Sequence, residues 1–323
     1  MKRSIALAAL ATLASGAALA QSSVTVYGRL NTSIERQTDF NGVDSTVTRL
    51  QNNGSRIGFK GVEDLGGGLK AGFVLEHRFN VDTGASTNGT AIWGGAGTSE
   101  VYLSGAFGTT RFGHYTSEAY FATSDVTDLL NHGTGTSSDA LYKYLGNDNN
   151  KIAYRTPDLG GLTGEVGVSL GEANTNRVMD VAVNYGAGPL GLGFGYEKVQ
   201  DQGFAGGAGD TQFAFRGSYD VSPFVVTGYV QRYKSEAADA SKTIWRLSGM
   251  YTMGAAELHL ALGGAGKLES NGTVFEDKAT QITFGGNYNL SKRTKVFAFY
   301  NKVNVSNTNI DPQSIALGVR HNF

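Results

Sequence analysis

The chain has 323 residues, of which 46 are glycine, 4 proline and none cysteine; 27 Lys+Arg against 28 Asp+Glu leave a net charge of −1. The missing cysteines exclude a disulfide scaffold, thiolate metal sites, iron–sulfur clusters and a cysteine nucleophile. The balanced charge gives no electrostatic footprint for nucleic acid, and 40% hydrophobic residues are too many for a disordered chain.

Residues 1–20 read as a secretory signal peptide. Lys2 and Arg3 form a basic start, Ile5 to Leu13 is an apolar run, and Ala18-Leu19-Ala20 is a small-x-small cleavage site. The mature chain is expected to begin at Gln21 and to form one domain over 21–323. No later apolar run approaches the ~18 residues wanted for a membrane helix. Export without disulfides points to a bacterial envelope.

From Gln21 onward apolar and polar residues alternate with period two. Val24, Val26 and Leu30 oppose Thr25, Tyr27 and Arg29; Ile57 and Phe59 oppose Arg56 and Lys60; Ile315, Leu317 and Val319 oppose Ala316, Gly318 and Arg320. Side chains of a strand point alternately to two faces, so each such segment has one greasy and one wettable side. Sixteen segments begin near residues 23, 47, 68, 98, 109, 151, 162, 178, 190, 211, 224, 243, 257, 280, 294 and 313. Short connections rich in turn formers (105–109, 157–161, 186–189, 220–223, 252–256, 289–293) alternate with long polar ones (80–97, 115–150, 201–209, 234–242, 264–278).

This pattern predicts an all-β fold: a 16-stranded antiparallel transmembrane β-barrel with short periplasmic turns, long extracellular loops and a third loop folded inward. A sandwich would stop well short of that many strands, whereas in lipid only a closed barrel pairs every backbone group of a sheet. Tyr185, Tyr219, Tyr288 and Phe323, near strand ends, suit an aromatic girdle. A lumen this wide holds water.

The longest connection, 115–150, scatters Glu118, Asp125, Asp128 and Asp139 among Phe121, Val126, Leu129, Leu130, Leu141 and Tyr144. A purely solvated loop has no need of so many apolar side chains, so inward packing against the wall is expected. Inward parity selects Arg29, Arg56, Lys60, Lys151 and Arg155, with Glu76. Basic groups opposed by carboxylates set a field across the pore, a standard source of ion selectivity. The inward basic set, extended by Arg216, Arg246 and Arg320, outnumbers Glu76, Glu165 and Asp180, which predicts mild anion preference.

Competing chemistries find little support. The five histidines show no metal spacing, so no metal or other cofactor is expected. An outer-membrane enzyme would need a Ser/His or Asp/His pair, and no partner for His259 is evident from spacing. Gly191-Leu-Gly-Phe-Gly195 lies inside an alternating strand and is not a phosphate loop. A substrate-specific channel and an adhesin remain as alternatives.

At these residues the chain resembles the Gram-negative general porins, most closely the β-proteobacterial and neisserial trimeric porins. The carriers are Ser23-Val-Thr-Val-Tyr-Gly-Arg-Leu30, Ser55-Arg-Ile-Gly-Phe-Lys60 with its continuation to Ala71, Gly108-Thr-Thr-Arg-Phe-Gly-His114, Tyr154-Arg-Thr-Pro157, Tyr288-Asn-Leu-Ser-Lys-Arg-Thr294 and Leu317-Gly-Val-Arg-His-Asn-Phe323. The resemblance implies a homotrimer in the outer membrane, in contact with the bilayer and lipopolysaccharide, that passes small hydrophilic solutes and ions. It places Arg29, Arg56, Lys60, His114 and Arg155 as basic constriction residues and Glu76 as an acidic one. His114 stands where the family usually has arginine, so a charge that titrates near pH ~6.5 is expected there. The usual acidic turn of the third loop is absent, and Asp125 and Asp128 are assigned to the eyelet by position. Phe323 is similar to the terminal aromatic read by the barrel assembly machinery.

Overall fold

The structure, a computed structural model, describes residues 23–39, 45–87, 89, 91–132, 140–146, 148–203 and 207–323. The expected leader 1–20 and Asp139 lie outside the described residues. The strands are β1 (Ser23–Thr38), β2 (Thr46–Asn52), β3 (Arg56–Gly66), β4 (Leu69–Arg78), β5 (Thr98–Gly105), β6 (Gly108–His114) and β7 (Lys151–Arg155). There follow β8 (Leu162–Ser169), β9 (Arg177–Ala187), β10 (Leu190–Gln200), β11 (Thr211–Val221), β12 (Phe224–Ser235) and β13 (Ala240–Met253). The last are β14 (Ala256–Ala265), β15 (Leu268–Ser270), β16 (Thr273–Glu276), β17 (Ala279–Asn289), β18 (Thr294–Val305) and β19 (Gln313–Asn322).

All but β15 and β16 join one antiparallel sheet that closes on itself where β1 pairs with β19. β2 and β3 are two pieces of one stave. Both pair with β1, through Thr32↔Asn52 and Arg29↔Arg56, and they are separated only at 53–55. The wall is therefore a closed barrel of sixteen staves, as expected. Among the described residues, no helix is long and apolar enough to cross a membrane.

Period-two burial holds around the wall. On β12, Thr227, Tyr229, Gln231 and Tyr233 are buried toward the lumen, while Phe224, Val226 and Val230 are exposed outward. The same outward face carries Leu258, Leu260 and Leu262 on β14 and Ile315 and Leu317 on β19. This outward surface is apolar enough to face hydrocarbon, and the closed ladder pairs the wall's backbone groups internally, which hydrocarbon would otherwise leave unpaired at several kcal/mol each. Tyr185, Tyr219, Tyr288 and Phe323 are all exposed outward at the short-turn end.

Two connections differ from the sequence expectation. The loop expected over 234–242 is much shorter, because Lys234↔Ser241 and Ser235↔Ala240 remain paired. Only 236–239 turn, with Asp239 at a φ of 44°. The stretch 264–278 is not featureless: β15 and β16 form a small hairpin there. At the seam, Phe323 exchanges two backbone bonds of 3.0 Å with Gly28, and its ring lies over the bare Cα of that glycine.

Candidate functional site

The third loop leaves β6 at His114 and returns at Lys151, and it folds into the lumen. Ser117 caps a short helix, Glu118–Ala122, its Oγ accepting from the Ala119 amide at 3.2 Å. A single 3-10 turn, Asp125–Thr127, follows. The helix packs directly on β10: a Cβ built on Gly193 would lie 2.0 Å from the Ala122 carbonyl oxygen, and one on Gly195 2.5 Å from that of Ala119. Only glycine allows backbone to approach backbone so closely. The glycine run noted in the sequence thus serves as the seat of the loop helix.

Hydrogen bonds then fasten the loop to that wall. Arg216 Nε donates to the Ala122 carbonyl at 3.0 Å. Glu118 bonds Arg155, and accepts from Asn184 Nδ2 at 3.3 Å. On the returning arm, Gln231 and the Lys143 backbone bond each other twice, at 2.9 and 2.8 Å. Glu197 accepts from the Leu145 amide at 2.8 Å, and Lys143 pairs with Glu276 of β16 at 2.7 Å. Burial raises the carboxyl pKa of Glu118, with Arg155 opposing. Burial likewise pushes the Tyr142 and Tyr144 hydroxyls up.

The tip reaches across the lumen. His132 is buried, stacks on Phe297 of β18 at 3.5 Å, donates through Nε2 to Asn287 Oδ1 at 2.7 Å and lies 3.4 Å from Asn31 Nδ2. Burial drops its pKa to about 3, so the ring is neutral. Arg320 donates to the Asn131 carbonyl at 3.1 Å and Arg29 to its side chain at 3.4 Å.

What the loop leaves open is a cavity of about 640 Å³ against β1, β3 and β4. Arg29, Arg56, Glu76 and Arg78 line its wall; Asp125, Asp128, Asn131 and Asp148 line the loop side, with Tyr120, Phe121, Tyr142 and Tyr144. Glu76 sits between Arg56 and Arg78, 3.5 Å from each, and accepts from the Tyr27 hydroxyl at 3.2 Å. Arg29 is oriented by the break in the second stave: Gly54, at a φ of 71°, turns its carbonyl to the guanidinium, with Nε at 3.2 Å and Nη2 at 3.1 Å. Asp148 is engaged by the Tyr144 hydroxyl and by Thr116 Oγ1 at 3.1 Å.

Of the residues selected from sequence, Arg29, Arg56, Glu76, Asp125 and Asp128 share this cavity. Lys60, His114 and Arg155 are not among its lining. Lys60 stands 5.3 Å over the Tyr27 ring. His114 bridges the second and third loops through Gly95 O (2.8 Å) and Asn149 Oδ1 (2.9 Å). Arg155 lines a separate recess of about 240 Å³ with Glu100, Tyr102, Thr109, Arg111 and Glu118. There Arg111 pairs with Glu100 (2.8 Å) and Glu165 (3.2 Å), and Arg155 with Glu165 (2.9 Å). Lys151 is sealed in a 2.8 Å pair with Asp180. Sequence reasoning missed Arg78, although it shares the parity of Glu76, and missed Arg111, which alternates with Thr110 and Phe112. It also gave no role to His132.

A family described as Gram-negative porin matches residues 6–308. Outer membrane porin protein 32 of Delftia acidovorans is 31% identical, over 98% of this chain and 95% of that one. The major outer membrane protein P.IB of Neisseria meningitidis serogroup B is 27% identical, over 97% and 98%. Among solved structures, an anion-selective porin from Comamonas acidovorans superposes with a TM-score of 0.77 at 26% identity, over 94% of this chain and 100% of that one.

Proposed function

The chain belongs to the Gram-negative porin family, and from that premise we propose that the cavity beside the third loop is the selective eyelet of a general diffusion channel. The protein is an outer-membrane porin, a barrel for passive passage of small hydrophilic solutes and ions. One observation carries the finer reading: the guanidinium groups of Arg29, Arg56 and Arg78 stand on one side of the 640 Å³ opening and Asp125 and Asp128 on the other. Charges so divided make a field across the path, in which hydrated polar solutes orient and apolar ones must displace ordered water. Lys60 belongs to the same basic side, over the Tyr27 ring. His114 and Arg155 act at one remove, bracing the loops and the loop helix.

Mild anion preference is part of the proposal. Asp148 is engaged by neighbouring hydroxyls and Glu76 by two arginines, which leaves the arginine side the stronger. The anion selectivity stated for the Comamonas acidovorans protein weighs the same way. The assembly expected of the family is a homotrimer embedded in lipid and lipopolysaccharide, with Phe323 as the segment end read by the assembly machinery.

Reversal potentials across a salt gradient in planar bilayers test the selectivity. Mild anion preference is expected, moving toward cations in Arg56→Gln; cation preference in the unaltered protein would overturn it. Closure in groups of three conductance steps tests the trimer.

A further inference from the structure

The helix of the third loop turns an apolar ring toward the aqueous lumen. Ala119 and Ala122 are buried against Gly195 and Gly193 of the wall. A helix rotates by about 100° per residue, so Phe121 points away from that contact. Its side chain is 40% exposed and lines the 640 Å³ cavity. It is one edge of an aromatic face. Tyr120 meets Phe121 edge to face at 5.6 Å, and Tyr142 and Tyr144 meet Tyr120 at 5.9 and 5.7 Å. All four line the same opening. Passage of small inorganic ions makes no use of such a surface.

The opposite side of the cavity offers guanidinium donors. Arg56 and Arg78 each hold Glu76 at 3.5 Å, long beside the about 2.8 Å of a well-formed guanidinium–carboxylate bond. Their side chains are 28% and 31% exposed, so both have donors left for a solute. Arg78 also interacts electrostatically with the Tyr120 hydroxyl, which places the cationic and aromatic sides within reach of one small molecule. Asp125 and Asp128 line the loop side and oppose a second negative charge. An inorganic anion would leave the rings unused, a neutral arene would leave the guanidinium groups unused, and a dianion would meet the loop carboxylates.

We infer that the eyelet is a binding site for aromatic monocarboxylates, the carboxylate accepting from Arg56 and Arg78 and the ring lying on Phe121 and Tyr120. The inference rests on the diffusion channel proposed above and names a solute class for it. A guanidinium presents paired N–H donors in the plane that carboxylate oxygens accept from. Ring-on-ring contact adds about fivefold in affinity beyond the burial of area. Passage requires a site favourable enough to enter and weak enough to leave, and one pair of arginines with one aromatic face meets both demands.

The test uses the refolded chain in detergent, with saturation-transfer NMR reading the binding of benzoate, cyclohexanecarboxylate and terephthalate. Benzoate is expected to bind about fivefold tighter than cyclohexanecarboxylate, its non-aromatic counterpart of equal charge. Terephthalate, which carries a second carboxylate, should bind more weakly than benzoate. Phe121→Leu keeps an apolar side chain and should abolish the preference for benzoate, while Phe121→Tyr keeps a ring and should retain it. Arg56→Gln should weaken both monocarboxylates alike, by about tenfold. Heat-modifiable gel mobility checks that each variant is folded. Equal binding of benzoate and cyclohexanecarboxylate, a preference that survives in folded Phe121→Leu, or tighter binding of terephthalate would each overturn the inference. Bilayer conductance, measured on the same preparations, separates the two readings: channels without a benzoate preference sink this site alone, and a benzoate preference without channels sinks the diffusion function alone.

Discussion

The wall built by β7 to β12 and the wall built by β1, β3 and β4 stand in opposite relation to the third loop. Against the first, glycine backbone meets helix backbone, and Arg216, Gln231 and Glu197 hydrogen-bond the loop backbone. Against the second, the loop tip makes contact through Asn131 and His132, and Arg56, Glu76 and Arg78 line open space with loop carboxylates. The contrast teaches that the eyelet is made by closing one side of a wide barrel, so the residues that set its size are not those that set its charge. Size belongs to Gly193, Gly195 and Arg216; charge belongs to Arg29, Arg56, Arg78 and Glu76.

The largest effect should come from filling the seat of the loop. Gly193→Val puts a branched side chain where Ala122 O leaves 2.0 Å, so the helix has to move. Overpacking of this kind costs about 1–3 kcal/mol or more, and the single-channel conductance should change by about twofold with increased current noise. Unchanged conductance would erase the proposed division of labour. Arg216→Ala comes next. It leaves the buried Ala122 carbonyl without its donor, a penalty of about 1–3 kcal/mol, visible as a lower unfolding temperature and a noisier open state while ion selectivity stays the same.

Acidification should act on the tip. The neutral His132 ring has its pKa lowered by burial to about 3, against ~6.5 in an unfolded chain. The unfolded state therefore takes up a proton first as pH falls. The stability that this burial contributes is full above ~6.5, declines below it, and is gone once pH passes the folded value. Thermal unfolding followed from pH 8 to pH 3 should show this decline, and a neutral, flat His132→Phe variant should show less of it. The smallest effect is that of Arg56→Gln, a shift of reversal potential with conductance nearly kept, because Arg78 remains beside Glu76 and Arg29 remains in the same cavity.

The wall was legible in the sequence because lipid and water enforce alternation residue by residue. Strand starts at 151, 162, 190, 211, 224, 294 and 313 coincide with the structure. The break at 53–55 was not legible, since it answers to Arg29, a partner more than twenty positions away. The stretch 234–242 reads as polar loop, yet its ends pair, because Arg232, Lys234, Ser241 and Thr243 are polar residues on an outward face at the rim. Arg29, Arg56 and Glu76 could be placed by parity. The positions of Lys60, His114 and Arg155 could not, because parity fixes a face and leaves open the height along the barrel and the loop that covers it. The loop's seat was visible only as alternate glycines whose purpose needs the opposing helix.

The clasp between Phe323 and Gly28 has a kinetic consequence. It joins the two most distant parts of the wall, and until it forms β1 and β19 both present raw edges able to recruit a neighbouring chain. Every other stave can zip to its predecessor locally, but this last union requires a search over nearly the whole polypeptide. A concentrated, unescorted preparation should accordingly cross-associate through those two edges before any other part of the molecule.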